Sequence, residues 1–256
     1  MTDRSADAQR KEFDKRWESY WLPLQALGPL TDTRYRLLLA RLPRGLPAGC
    51  RVLDAGCGPG ALLERIRQRL PTADLRGIEF SPAAARHAPE RLRERILVGD
   101  ILAVAPTLPQ RDFDVIVCSE VLEHVPDPAA VVQALARLAK PGATLLFSVP
   151  AGMAYWSIQD ETAGHLRRFE PDEFRALLLG AGLRIDALFT WGGPIGRLYN
   201  ALIDRVGPST AAHAGESRIG RIAARLAKTA LRLDDLWRTK SGFQLIARTR
   251  SSQSPR

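Results

Sequence analysis

Residues 52–60 read Val-Leu-Asp-Ala-Gly-Cys-Gly-Pro-Gly. The run from Arg51 to Ala55 has the make-up of a short, buried parallel strand. Glycines follow at 56, 58 and 60, and an amphipathic helix starts at Ala61. Strand, glycine turn and helix make the first half of a nucleotide-binding βαβ unit. The glycines let the backbone turn sharply and let a ligand approach the main chain. Amides at the helix N-terminus then face whatever sits in the crevice. The spacing narrows the ligand. A dinucleotide fingerprint is G-x-G-x-x-G, whereas this chain has G-x-G-x-G with Asp54 just before it. A carboxylate there repels a pyrophosphate and suits a ligand with an ammonium group.

The flanking segments extend the pattern. Asp74–Phe80 is a second strand ending in Glu79, 25 positions after Asp54. An acid at that strand end is placed to accept hydrogen bonds from ribose hydroxyls. A third strand, Arg95–Asp100, ends in another acid, and Phe113–Pro126 holds the fourth strand and its exit. A helix over Pro128–Lys140, a turn at Pro141-Gly142 and strand five at Ala143–Val149 follow. Residues 171–182 read as a helix, Leu183–Phe189 as strand six and Phe243–Thr249 as strand seven. Alternating β and α segments force a parallel sheet with right-handed crossovers.

The stretch 52–60 resembles motif I of the class I S-adenosylmethionine-dependent methyltransferases. Phe113-Asp-x-Ile, Leu122-Glu-His-Val-Pro-Asp127 and Lys140-Pro-Gly-Ala143 follow in the order of the small-molecule type, and the resemblance spans residues 45–185. It implies an α/β fold: a doubly wound, seven-stranded, mostly parallel Rossmann-like sheet. It implies S-adenosyl-L-methionine as cofactor and S-adenosyl-L-homocysteine as product. The cofactor set it implies is Asp54, Gly56, Cys57, Gly58, Gly60, Glu79, Phe80, Ser81, Asp100, Ile101, Ser119 and Glu120. In that set Asp100 reads the adenine amino group and Ile101 packs on the ring. A lone aspartate at a strand end is otherwise a turn or N-cap residue, but here acids end three successive strands.

Composition fits an enzyme with a large core. The chain has 256 residues, 45% of them apolar, enough for one large α/β domain or two small ones. No run of 18 apolar residues occurs, so no transmembrane segment is expected. Residues 1–16 are too charged for a secretory signal. Cys50, Cys57 and Cys118 are odd in number and form no C-x-x-C, so neither a disulfide framework nor a zinc site is indicated. A reduced, cytoplasmic setting is the expectation, with Cys57 a small packing residue.

Charge is uneven along the chain. From Thr190 onward there are 12 Lys/Arg against 4 Asp/Glu, whereas residues 1–189 hold 25 against 24. Arg218, Arg221, Arg225, Lys228 and Arg232 share one helix face, beside an apolar stripe of Ile219, Ile222, Leu226 and Leu233. A solvated basic face is the plain reading. The alternatives are a funnel for an anionic substrate, or contact with an acidic carrier, a membrane or nucleic acid. Nucleic acid is the weakest of these, since no recognised motif or aromatic interleaving accompanies the charge.

The predicted organisation has four parts: a helical extension over 1–45, a cofactor-binding catalytic domain over 46–191 and 241–250, a basic helical insertion or lid over 192–240, and a disordered tail over 251–256. Phe13, Trp17, Tyr20 and Trp21 form an aromatic helix face that either packs or covers the active site. The insertion carries Tyr199 and Trp237, and its length suggests a lid or a partner surface.

Methyl transfer to a hydroxyl calls for a base or a metal, and histidine is the usual base. His124 follows strand four and His165 follows strand five, so both lie at the carboxyl edge where this topology binds ligands. His87 and His213 read as surface residues. Glu120-x-x-Glu123-His124 with His165 resembles the Mg2+ site of the small-RNA 3′-terminal 2′-O-methyltransferases. That makes an RNA-directed enzyme the alternative function. Relatives with the same Leu-Glu-His-Val-Pro and no known metal favour a metal-free site, so Mg2+ is not expected. Tyr155, Arg167, Arg168 and Tyr199 are the candidate acceptor-binding residues; the arginines either hold an anionic group on the acceptor or tie their loop to an acid. The reading is a small-molecule methyltransferase with oxygen as the favoured acceptor atom; nitrogen and carbon stay open, since motif I carries little trace of the acceptor. The third alternative is a non-catalytic binding protein that keeps the fold. Oligomeric state is not legible.

Overall fold

The computed structural model describes residues 3–213, 217–236 and 241–252. The strands are β1 (Arg51–Ala55), β2 (Asp74–Glu79), β3 (Ile96–Val98), β4 (Phe113–Ser119), β5 (Ala139–Pro150), β6 (Leu183–Trp191) and β7 (Gln244–Ser251). They form one sheet in the order β3-β2-β1-β4-β5-β7-β6. The first five are parallel, with Asp54 beside Gly77 and Val117. β7 runs antiparallel between β5 and β6. The strand order reverses beside β1, so β1 and β4 open the crevice at their carboxyl ends.

Helices α1 (Asp3–Arg16), α2 (Leu22–Leu27) and α3 (Pro29–Leu39) precede the sheet, with a π-helical turn at Trp17–Trp21. Within the sheet's crossovers lie α4 (Ala61–Arg69), α5 (Pro82–Arg86), α6 (Glu90–Arg93), α7 (Ile101–Val104) and α8 (Pro128–Leu138). Then come α9 (Ile158–Ala163) and α10 (Pro171–Gly180), and between β6 and β7 α11 (Pro194–Val206), α12 (Pro208–His213) and α13 (Arg218–Leu231).

Strand alternation builds two cores. Leu53, Ala55, Ile116 and Phe147 face α8 and α10 and pack with Leu135, Phe174 and Leu178. Val52, Val115, Val117 and Leu146 face the other way, onto Leu38, Leu62, Leu63 and Ile66. Burying each such Leu or Phe contributes roughly 1.5–3 kcal/mol. Both faces are covered, which explains why consecutive residues are apolar at Val52-Leu53 of β1 and Val115–Cys118 of β4.

Several boundaries differ from expectation, and β5 runs over Ala139–Pro150, through the turn expected at Pro141-Gly142. The helix expected to reach Lys140 stops at Leu138, because Pro141 disfavours helical backbone in the residue before it. Ala139 instead starts β5, and Lys140 beside it pairs with Asp114 at 2.8 Å. β3 is shorter than Arg95–Asp100, since Asp100 leaves the strand to cap α7. β6 runs on to Trp191. Ser251, expected in the tail, ends β7 opposite Leu183; residues 253–256 of that tail and Trp237 of the insertion lie outside the described residues. The three cysteines are free and buried. Among the described residues no helix is long and apolar enough to cross a membrane.

Candidate active site

The glycine turn leaves β1 at the switch point. Gly56, Gly58 and Gly60 have φ of +80°, +55° and +80°, a region that glycine enters without the Cβ clash of other residues. Close approach is needed as well. A Cβ on Gly56 would lie 2.2 Å from Val121, and one on Gly58 would lie 2.4 Å from the Trp17 ring. The protein's own indole therefore lies against the loop.

Asp54 and Glu79 are 2% and 4% exposed. Burial, and then the charge of Glu79, pushes Asp54 up to about 7. Burial also pushes Glu79 up to about 7, against hydrogen bonds from Ser81 and Gly58 amides that favour its charged form. Those amides lie 2.8 Å from its two oxygens, and the Trp17 side chain is a further hydrogen-bond partner. Two buried carboxylates beside each other suit a cationic ligand that bears hydroxyls. Phe80 packs edge-on to Phe13 at 5.4 Å. Asp100 accepts from the Leu102 amide at 2.7 Å; it is thus an N-cap residue and also borders the cavity with Ile101.

Ser119 sits at the end of β4, its hydroxyl 2.8 Å from that of Ser148. Glu120 follows with φ +56°, a strained conformation for a residue with a side chain. It is held by Arg34 at 3.3 Å, Gln244 at 2.7 Å and Ser148 at 3.1 Å. Next comes the histidine pair, with ring centroids 4.8 Å apart. His124 Nδ1 lies 3.2 Å from the Gly164 carbonyl. A carbonyl only accepts, so the neutral ring carries its proton on Nδ1 and leaves Nε2 free. Burial first, and His165 next, pushes His124 down to about 3, so it stays neutral. His165 Nδ1 donates to Asp160 Oδ1 at 2.7 Å, which turns its Nε2 into an acceptor 3.9 Å from Glu123 Oε1.

Burial alone would raise Asp160, but hydrogen bonds from His165 and Arg168 hold it below the usual carboxylate range. Arg168 grips Asp160 with two nitrogens, both at 2.9 Å, and donates to the Ala151 carbonyl at 3.2 Å. Glu123 is fully buried and neither carboxyl oxygen has a hydrogen-bond partner. Burial, then the Glu120 charge, raises it well above the ordinary value. Glu123, His124 and His165 offer ligand atoms within 4.8 Å of one another. Of the four residues weighed as an alternative metal set, Glu120 stands apart on its arginine.

One cavity of about 720 Å3 joins the two regions. Asp54, Gly56, Cys57, Glu79, Phe80, Asp100, Ile101, Ser119, Glu120, His124, His165, Arg168 and Tyr199 all line it. Gly58, Gly60 and Ser81 shape the turn from behind; Ser81 caps α5 and meets Asp14. Cys57 is buried against Gly77, and burial raises its thiol well above the ordinary value, as for a packing residue. His87 and His213 are exposed.

Three acceptor assignments need correction. Tyr155 lies off the cavity and donates to the Ser241 carbonyl at 2.8 Å. Arg167 reaches the Pro126 carbonyl at 3.1 Å and tethers its loop. Arg168 borders the cavity, and its fork is already held by Asp160. Residues that carried no distinguishing sequence signal complete the site: Arg34, Asp160 and Gln244. The aromatic face of the extension also belongs here. Phe13 and Trp21 pack edge-on to His124 at 5.4 and 5.7 Å, and Trp17 and Tyr20 line the cavity.

Comparison with known proteins agrees with this geometry. A family profile described as a methyltransferase domain matches residues 30–188. A ubiquinone biosynthesis O-methyltransferase of Xanthomonas axonopodis pv. citri is 33% identical over 208 residues, covering 72% of this chain and 84% of that protein. One of Alkalilimnicola ehrlichii is 37% identical over 162 residues, covering 58% and 64%. With the second of these the match spans somewhat under two thirds of the relative's length. Among solved structures, Haemonchus contortus phosphoethanolamine N-methyltransferase 2 with S-adenosyl-L-methionine superposes with TM-score 0.64 at 15% identity, covering 94% of this chain and 57% of that one. Streptomyces coelicolor geranyl diphosphate C-methyltransferase gives 0.63 at 12% identity, covering 88% and 77%; at such identities the likeness is one of fold. Profile, relatives and fold together make this chain a member of the class I S-adenosylmethionine-dependent methyltransferase family.

Proposed function

We propose that the protein transfers a methyl group from S-adenosylmethionine to a hydroxyl of a small, largely apolar acceptor. The observation that carries the reading is the His165–Asp160 pair opening onto the same cavity as Asp54 and Glu79. When bound, S-adenosylmethionine supplies an electrophilic methyl group on a sulfonium. Asp54 answers its ammonium group and Glu79 the ribose hydroxyls. His165 accepts the acceptor's hydroxyl proton at Nε2, and Asp160 stabilises the imidazolium that results. His124, neutral through burial, hydrogen-bonds the acceptor through its free Nε2. Phe13, Trp17, Tyr20 and Trp21 exclude water above the pair. Leu24, Leu30, Ile203 and Ala224 of the cavity wall suit an apolar acceptor body. The O-methyltransferase relatives support oxygen as the accepting atom. We place residues 46–191 and 241–250 as the catalytic unit, 192–240 as its lid, and the enzyme in the cytoplasm.

A second reading rests on the unpartnered Glu123 carboxyl. A divalent cation held by Glu123, His124 and His165 would satisfy it and would lower the pKa of an acceptor hydroxyl. Single turnover with a panel of phenolic acceptors, run before and after exhaustive chelation, tests both. With His165 as base, His165→Ala lowers the rate about 100-fold or more, and chelation changes nothing. Loss of activity on chelation with recovery on added metal replaces that mechanism by the second. Absence of methyl transfer to any hydroxyl acceptor overturns the proposal.

A further inference from the structure

Helix α13 carries three rows of side chains. At 100° per residue, Gly220, Ala223, Ala224 and Ala227 share the side that walls the cavity. Ile219, Ile222 and Leu226 occupy the next sector and are 80%, 50% and 67% exposed. Arg218, Arg221 and Arg225 fill the sector after that, continued by Arg232, and all four are exposed. The small residues serve the cavity. The apolar row faces away from it, into solvent.

The same insertion exposes further apolar side chains. Eight of the fifteen exposed large apolar side chains among the described residues lie between 192 and 240. They include Leu198, Leu202 and Val206, one turn apart along α11. Concentration of that kind marks a contact surface. Leu202 and Val206 are also half-exposed lining residues, so the α11 row reaches the cavity rim.

The charge of the segment fits the same use. Its acids among the described residues are already partnered: Asp234 accepts from the Ile195 and Gly196 amides, Asp235 from Arg36, and Asp204 from Gln159. The arginines of α13 are turned outward. An RNA strand would engage the arginines but needs aromatic stacking partners, and α13 carries no aromatic residue. An acidic protein surface would likewise leave the isoleucines in water. An anionic bilayer takes both rows at once, apolar side chains at the acyl boundary and arginines on the phosphates.

We propose that the exposed face of α11 and α13 docks on an anionic lipid bilayer, with the cavity rim at the membrane surface. The docking is independent of the acceptor. Joined to the methyl-transfer reading, it gives an apolar acceptor a route from the bilayer into the cavity.

Co-sedimentation of the full chain with vesicles tests this. One set is phosphatidylcholine alone; the other contains phosphatidylglycerol as well. The protein should partition about tenfold or more in favour of the anionic vesicles, and less so as salt rises. The double variant Ile219→Glu/Leu226→Glu should lose about tenfold or more of that binding at low salt, and so should Arg221→Glu/Arg225→Glu. Titration of the same variants with S-adenosylhomocysteine should match the parent, which shows the fold intact. Three outcomes overturn the proposal: no preference for anionic vesicles, equal binding by parent and double variants, or stronger retention on an RNA homopolymer or polyglutamate than on the vesicles. Vesicle binding without any S-adenosylhomocysteine binding would leave the docking standing and remove the methyltransferase reading instead.

Discussion

Glu79 does two jobs at the residue scale. Its oxygens hold the Gly58 and Ser81 amides, and it lines the cavity, where the proposed reading places the ribose hydroxyls. Glu79→Ala should therefore weaken S-adenosylhomocysteine binding about tenfold or more, equivalent to about 1.4 kcal/mol. Glu79→Gln keeps the shape and should lose less. Calorimetric titration distinguishes the two, and equal binding by Glu79→Ala and parent would remove the residue from the ribose role. Asp54 adds a pH dependence. Its carboxyl is raised to about 7 without ligand, so it is mostly protonated below that pH. Only the ionised form pairs with an ammonium group. Affinity for the homocysteine product should rise about tenfold between about pH 6 and about pH 8 and then level off. Proton release on binding near neutrality, measured in buffers of different ionisation enthalpy, checks the sign. A flat profile would mean that Asp54 is already charged in the free enzyme.

At the scale of elements, two segments pin the acceptor side. The 164–169 loop is anchored by Arg168 on Asp160, both fully or nearly fully buried. Removing one member of a buried pair strands the other's charge, so Arg168→Ala or Asp160→Ala should destabilise the protein by roughly 3–5 kcal/mol. Denaturant unfolding measures this. A loss under about 1 kcal/mol, the value of an exposed pair, would show the site to be wetter than its packing indicates. The insertion between β6 and β7 is the second segment. Tyr199 and Ile203 of α11 and Ala224 of α13 wall the cavity, while α13 rests on α3 and Lys228 reaches Asp32 at 3.9 Å. Closure of such a lid excludes water. Hydrogen exchange should thus slow around Tyr199 and from Ile219 to Leu231 when product and acceptor bind together. Unchanged exchange there would assign the segment to docking alone.

For the whole molecule, ligand and fold are linked through the crevice. β1 and β2 bring Asp54 and Glu79 to the cavity, and the extension and the insertion line it as well. Product bound at about 100 times its Kd should stabilise the folded state by about 2.7 kcal/mol. Thermal unfolding should then show one shifted transition, with extension and sheet melting together. A separate low-temperature step unaffected by ligand would uncouple the extension from the catalytic domain.

What the sequence determined by itself was the sheet and its crevice. Short apolar runs, closely spaced glycines and acids at strand ends are local signals, each written within a few residues. They located Asp54, Glu79 and Asp100, the switch point between β1 and β4, and the helical character of the insertion. His124 and His165 could be ranked on strand order alone. Other features were decided by tertiary structure, because they depend on partners far apart in the chain. Arg34 meets Glu120 across 86 positions, and Gln244 reaches it across 124. Arg167 and Arg168 looked alike in sequence. One reaches an exposed carbonyl and the other is locked on Asp160, and only packing tells a free guanidinium from one already bound. The aromatic face of the extension left packing and covering equally open until Phe13 and Trp21 met His124. Burial set the protonation of that histidine, and burial is a property of the assembled fold.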